Sequence, residues 1–153
     1  MIRGASPQWD SSLLRNDSRA WFVTTFPGKF AGTPDAELLF VVEIPRSHCL
    51  CIRLFPPTAG WEFQALSSLA AQHTSPDVLI TDHTRLQSSL VNAGASFKKP
   101  ATAYLHKPIT LMPAISQCIH SLVDILNELM PSHSSLDTIN TKLEAWRIAY
   151  NTR

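Results

Sequence analysis

The stretch "SPDVLITDH", residues 75–83, constrains the fold more than any other: a proline, then apolar and β-branched residues without polar alternation, then an acid at Asp82. A strand of that kind is covered on both faces, which is the situation of strands in sheets that carry helices on either side. "ELLFVVE" (37–43) repeats the pattern, a continuous apolar run that ends on Glu43. Together with helix-length amphipathic segments further on, these runs predict an α/β fold with a small, mainly parallel sheet flanked by helices and with long C-terminal helices.

Other segments fill in the order of elements. "SRAWFVTTF" (18–26) is rich in aromatic and β-branched residues and stops at Pro27-Gly28, which reads as a strand ended by a turn. The following "PGKFAGTPDA" holds too much Pro and Gly for a strand or helix interior and reads as a linker, with a boundary near residue 36. "SHCLCIRLF" (47–55) fits either a short helix or a strand, because Cys51, Leu54 and Phe55 suit one period and Leu50, Ile52 and Leu54 the other. "GWEFQAL" (60–66) is a short strand or the start of a helix running to Gln72, and "TRLQSSLVNAG" (84–94) is a helix with Gly94 in the capping place. "TAYLHKP" (102–108) reads as another short strand. Leu111, Ile115, Cys118, Ile119, Leu122, Leu126 and Leu129 then mark a long amphipathic helix, and Leu136, Ile139, Leu143, Trp146 and Tyr150 a last one.

Composition narrows the function classes. With 13 basic against 12 acidic residues and no run of like charge, the 153-residue chain lacks the electrostatic footprint of a dedicated nucleic-acid binder. A hydrophobic content of 44% is enough for a core, and no apolar run reaches the roughly 18 residues of a membrane span. Cys49, Cys51 and Cys118 are odd in number and form no CxxC pair, which fits a reduced cytoplasmic setting, either for this chain or for the cytoplasmic part of a membrane-anchored protein. His48, His73, His83, His106, His120 and His133 show no metal-ligand spacing, and there is no Gly-rich phosphate loop and no GxSxG. No cofactor and no metal are expected from these residues.

"SPDVLITDH" and "AYLHKPI" resemble the third-strand and fifth-strand edges of a response-regulator receiver domain. A receiver clusters acids to hold magnesium, which demands several hard oxygen ligands. Here the resemblance assigns Glu43, Asp82 and Lys107 to that site, with no second acid beside Glu43. The separation of Asp82 from Lys107 is too short for the helix-strand-helix-strand of a full receiver. It is similar to the shortened receiver, or α/β/loop domain, of hybrid sensor kinases and of the Rcs-phosphorelay phosphotransferase, over roughly residues 37–128. "SSLLRNDSRAWFVTTFP" in turn resembles the closing hairpin of a histidine-kinase ATPase domain, with Asn16 and Asp17 where glycine is usual. The resemblance implies a non-catalytic interaction module of a bacterial two-component phosphorelay that docks a response regulator. Its divisions would be an N-terminal strand and linker (1–36), a receiver-like domain (37–131) and a C-terminal linker helix (132–153).

A second resemblance competes. "SLDTINTKLEAWRIAYNTR" looks like the closing helix of integrase-type transposases, which often read W-x-x-x-Y-N. "WFVTT" would then be the first strand of an RNase H-like core and "LLFVVEIPRSHCLCIRLF" a hairpin, with Asp82 as the second catalytic aspartate. The spacing from Asp82 to Cys118 is that of the DD(35)E pattern. Thr24 and Cys118 occupy the places of the first and last acids, and two-metal phosphoryl transfer needs carboxylates there. This resemblance implies a catalytically inactive core with a DNA-binding or regulatory role. The two alternatives part on one observable: whether strand 38–43 lies parallel to 77–82 or forms an antiparallel hairpin with 49–55.

Overall fold

The computed structural model describes residues 19–27, 36–44, 46–56, 58–105, 118, 120–122, 124 and 135–152. In chain order these form β1 (Ala20–Pro27), β2 (Glu37–Ile44), β3 (His48–Phe55), α1 (Trp61–Gln72), β4 (Val78–Thr81), a 3-10 turn (Thr84–Leu86), α2 (Gln87–Ser96), β5 (Thr102–Leu105) and α3 (Leu136–Asn151). The sheet has the order β3-β2-β1-β4-β5. β1 pairs antiparallel with β2 and parallel with β4, β2 pairs antiparallel with β3, and β4 parallel with β5, so β2 alone runs against the other four. The α/β class and the flanking helices are those the apolar runs predict.

The connectivity differs from the receiver-like expectation. Strand 37–44 lies between β1 and β3 as the middle of an antiparallel meander and has no ladder with 78–81. The tight Arg46–Ser47 turn dictates this, because a connection as short as the three residues between Ile44 and His48 can only return a strand antiparallel; Ser47 takes a φ of 55° to make it. β1 is the central strand of the sheet, bonded on both sides, and so belongs to the same unit as residues beyond 36.

Pleating sorts the apolar residues into two cores. Ala20, Phe22, Phe40, Val42, Ile80, Cys49, Ile52 and Leu54 face one way and meet Cys118, Leu122, Ile139 and Leu143. Trp21, Val23, Leu39, Val41, Leu79 and Ala103 face the other way and meet Trp61, Leu66, Leu69, Leu90, Ala93 and Phe97. The mixed period of "SHCLCIRLF" has a physical cause here. Val42 pairs with Cys49 but Val41 with Cys51, leaving Leu50 as the extra residue of a β-bulge. The bulge sends both Leu50 and Cys51 toward the second core while Cys49, Ile52 and Leu54 stay on the first. A one-residue shift of alternation mimics a helical period.

Two helix ends also have local causes. Gly94 lies inside the last turn of α2 rather than beyond it, and Phe97 N–H closes on the Gly94 carbonyl at 3.3 Å. A Cβ at Gly94 would come 2.7 Å from the Ala101 carbonyl oxygen and 3.1 Å from Leu79 Cδ1, so the glycine is there for the close approach of α2 to the chain entering β5. α3 starts at Ser135, whose hydroxyl accepts from Thr138 N–H. Of the helix expected over 111–129, Cys118 and Leu122 are helical and fully buried, and the other marker positions lie outside the described residues.

α3 covers the free edge of β3. Asn140 Oδ1 accepts from Leu54 N–H at 2.7 Å while its Nδ2 donates to Leu54 C=O at 3.1 Å. Asn151 does the same to Cys49, at 2.8 Å in both directions. The two asparagines are about three turns apart, roughly 16 Å of helix rise, and Cys49 to Leu54 spans a similar length of strand. Helix and strand periods thus coincide at both clamps, and an exposed edge is closed without a sixth strand.

Candidate functional site

The first face of the sheet carries Thr24 and Asp82 at the same end. Phe22 pairs with Ile80, and one pleat further along each chain stand Thr24, inside β1, and Asp82, the first residue after β4. Thr24 is buried and its Oγ1 has no hydrogen-bond partner; Asp82 Oδ1 is likewise buried and unpartnered. His83 Nε2 stands 3.8 Å from that oxygen, beyond hydrogen-bond reach.

The turn after Asp82 is held from two sides. His83 N–H donates to Thr81 Oγ1 at 3.1 Å, which fixes the bend, and the 3-10 turn carries Arg85 back across the sheet end. Arg85 Nη2 reaches Thr25 Oγ1 at 3.0 Å and Glu37 Oε2 at 2.7 Å, and its Nη1 stands 3.9 Å from Glu62. One guanidinium therefore ties the post-β4 turn to β1, β2 and α1, and the chain around Asp82 is locally fixed.

Glu43 and Asp82 do not come together as the receiver resemblance implies. Glu43 is the register partner of Trp21, which itself pairs with Leu79, so it lies toward the other end of the sheet and two strands away from β4. Its neighbour Val42 faces the first core, and the pleat therefore turns Glu43 to the opposite face. The buried carboxylate stands between Arg19 Nη1 at 3.6 Å and Arg46 Nε at 3.4 Å. Lys107 lies outside the described residues.

Cys118 does not reach Asp82 either. It is buried in the first core beside Cys49, which is level with Phe22 and three strands away from β4. The hydrogen bond that its thiol donates to Cys118, together with burial, pushes Cys49 far above its ordinary range. Burial pushes Cys51 up to about 12, with Arg53 opposing. None of these thiols is set up as a nucleophile.

The donor set does not fit two-metal chemistry. Among the described residues, the first face at the end of β1 and β4 offers one carboxylate, Asp82, and a neutral hydroxyl, Thr24, where a pair of hard anionic ligands is required. Among the described residues no three His, Cys, Asp or Glu side chains converge as metal ligands. The sequence pattern located this pair through Thr24, but the Arg85 tie and the Arg19–Glu43–Arg46 group draw on segments far apart in the chain and carry no local motif.

A five-stranded sheet of order 3-2-1-4-5 with an antiparallel meander and two parallel additions defines the class of fold, RNase H-like. The structure is similar to that of the catalytic core domain of BIV integrase, at 12% sequence identity over 88% of this chain and 84% of that one, with a TM-score of 0.57. At that identity the likeness shows the fold alone. No protein-family model and no curated protein sequence matches the chain. No helix among the described residues is long and apolar enough to cross a membrane.

Proposed function

We propose that this chain is a catalytically silent integrase-type core whose work is binding, as a DNA-contacting or regulatory component of a transposition system. The observation that carries the reading is that Thr24 stands at the same sheet end and on the same face as Asp82, one pleat beyond the Phe22–Ile80 pair. The position that would hold the first carboxylate of an integrase core is a buried, neutral hydroxyl, in a sheet whose strands are otherwise complete. Replacing an acid by threonine at such a place removes a hard anionic ligand while keeping a side chain of similar size. The integrase-like fold supports the family side of the reading, and the closing helix α3 with Trp146, Tyr150 and Asn151 matches the sequence pattern that suggested it.

The experiment is a strand-cleavage and strand-transfer assay on labelled duplexes, with magnesium or manganese, beside a binding titration at several salt concentrations. The expected result is no metal-dependent cleavage, and binding whose affinity falls with rising salt as counterions are released. Metal-dependent cleavage by the unaltered chain contradicts the silent core. Absence of salt-sensitive DNA binding removes the DNA-contacting role and leaves the regulatory one.

A further inference from the structure

At the pole of the sheet away from Asp82, four segments meet around a cavity of about 390 Å³. Arg19 enters from the start of β1, Glu43, Arg46 and His48 from the β2–β3 turn, His73 from the end of α1, and Arg147 from α3. Glu43 is the organising group. Its side chain is 5% exposed, and each carboxylate oxygen faces a different arginine, Oε2 toward Arg19 and Oε1 toward Arg46. The two arginines are 40% and 59% exposed, so one buried carboxylate faces two solvent-accessible guanidinium groups, both lining the cavity. Each contact engages one nitrogen of a five-donor fork. Arg147 is differently placed, since it is paired with Glu144 and donates to the Cys49 carbonyl at 3.2 Å.

Two guanidinium forks set by one carboxylate are the arrangement that recognises a tetrahedral oxyanion, because each fork can present paired N–H donors to two oxygens. α1 and α3 both end at this pole, and the partial negative charge of their last carbonyls offsets part of the arginine charge. A monovalent anion gains little there, whereas a group with two or more negative charges spans both forks. We propose that the Arg19–Glu43–Arg46 cluster is a binding site for a phosphate group, borne either by a small phosphorylated molecule or by a nucleic-acid backbone. This site is separate from the Thr24–Asp82 pair and does not depend on the integrase-type reading.

The test uses the full chain and follows the arginine Nε–Hε resonances by NMR during titration with inorganic pyrophosphate, at constant ionic strength kept with chloride. The expected result is saturable shifts of Arg19 and Arg46. Arg46→Gln, an exposed substitution, should weaken the apparent affinity about tenfold or more, the loss of one charge-assisted contact pair. Competition by a short DNA duplex that is itself weakened by Arg46→Gln assigns the phosphate to nucleic acid; pyrophosphate binding without such competition assigns it to a small molecule. Shifts that do not saturate, or that Arg46→Gln leaves unchanged, overturn the proposal.

Discussion

Asn140 binds Leu54 as a neighbouring strand would, accepting from its N–H at 2.7 Å and donating to its C=O at 3.1 Å, with all four atoms buried. Edge strands present unpaired backbone groups that invite other chains, and here a side-chain amide on α3 takes that place. Asn140→Ala leaves a buried donor and a buried acceptor unsatisfied at once. The expected loss is about 2 to 4 kcal/mol of unfolding free energy, read from urea denaturation. Asn151→Ala, whose bonds to Cys49 are only part-buried, should cost about 1 kcal/mol, because water can replace the amide.

Gly94→Ala tests the approach of α2 to the entry of β5. In a helix interior alanine is ordinarily the more stable choice by roughly 1 kcal/mol. Here the added methyl would stand 2.7 Å from a backbone carbonyl, which cannot move as a side-chain tip can. The sign should reverse, with a loss of about 1 to 3 kcal/mol in denaturation.

The three thiols should be unreactive while the chain is folded. Cys49 and Cys118 are fully buried, and the Cys51 thiol is pushed up to about 12 by burial, so thiolate is scarce at neutral pH. Titration with a chromogenic disulfide at pH 7.5 should show slow release, with full reaction only in denaturant. Rapid labelling of Cys51 in the folded chain would contradict this.

Asp77 should contribute a small acid dependence. Its carboxyl is held below the usual carboxylate range by the Lys99 ammonium first and then by the Arg19 N–H, which donates at 3.0 Å. A carboxylate depressed in the folded chain stabilises it above the unfolded pKa of about 3.9, and that contribution is lost as pH falls through the folded value. Asp77→Asn should therefore flatten the stability profile below about pH 4, and should leave its shape above pH 5 unchanged.

What the sequence disclosed follows from which interactions are local. The runs "ELLFVVE" and "DVLITDH" are strands buried on both faces, so composition alone marks them; the regular spacing of Leu136, Ile139, Leu143 and Tyr150 marks α3 in the same way. β3 was ambiguous because the bulge at Leu50 breaks its alternation. Strand pairing was not legible from the apolar runs, since the same "ELLFVVE" serves a parallel or an antiparallel neighbour, and only the short turn at Arg46–Ser47 decides. At the candidate site, DD(35)E spacing pointed to Thr24 and Asp82, which the structure brings to one sheet end, and to Cys118, which it buries against Cys49 instead. The partnership of Glu43 with Arg19 and Arg46 joins chain segments through the sheet register, which no local pattern encodes.

The most direct test of the silent-core account is a manganese titration of the unaltered chain and of Thr24→Asp, followed by electron paramagnetic resonance of the free ion. With one carboxylate at the β1–β4 end, the unaltered chain should leave manganese free up to millimolar concentration, on the order expected for a lone surface acid, while Thr24→Asp should gain a site through the restored pair. Tight manganese uptake by the unaltered chain, lost on Asp82→Asn, would contradict the account.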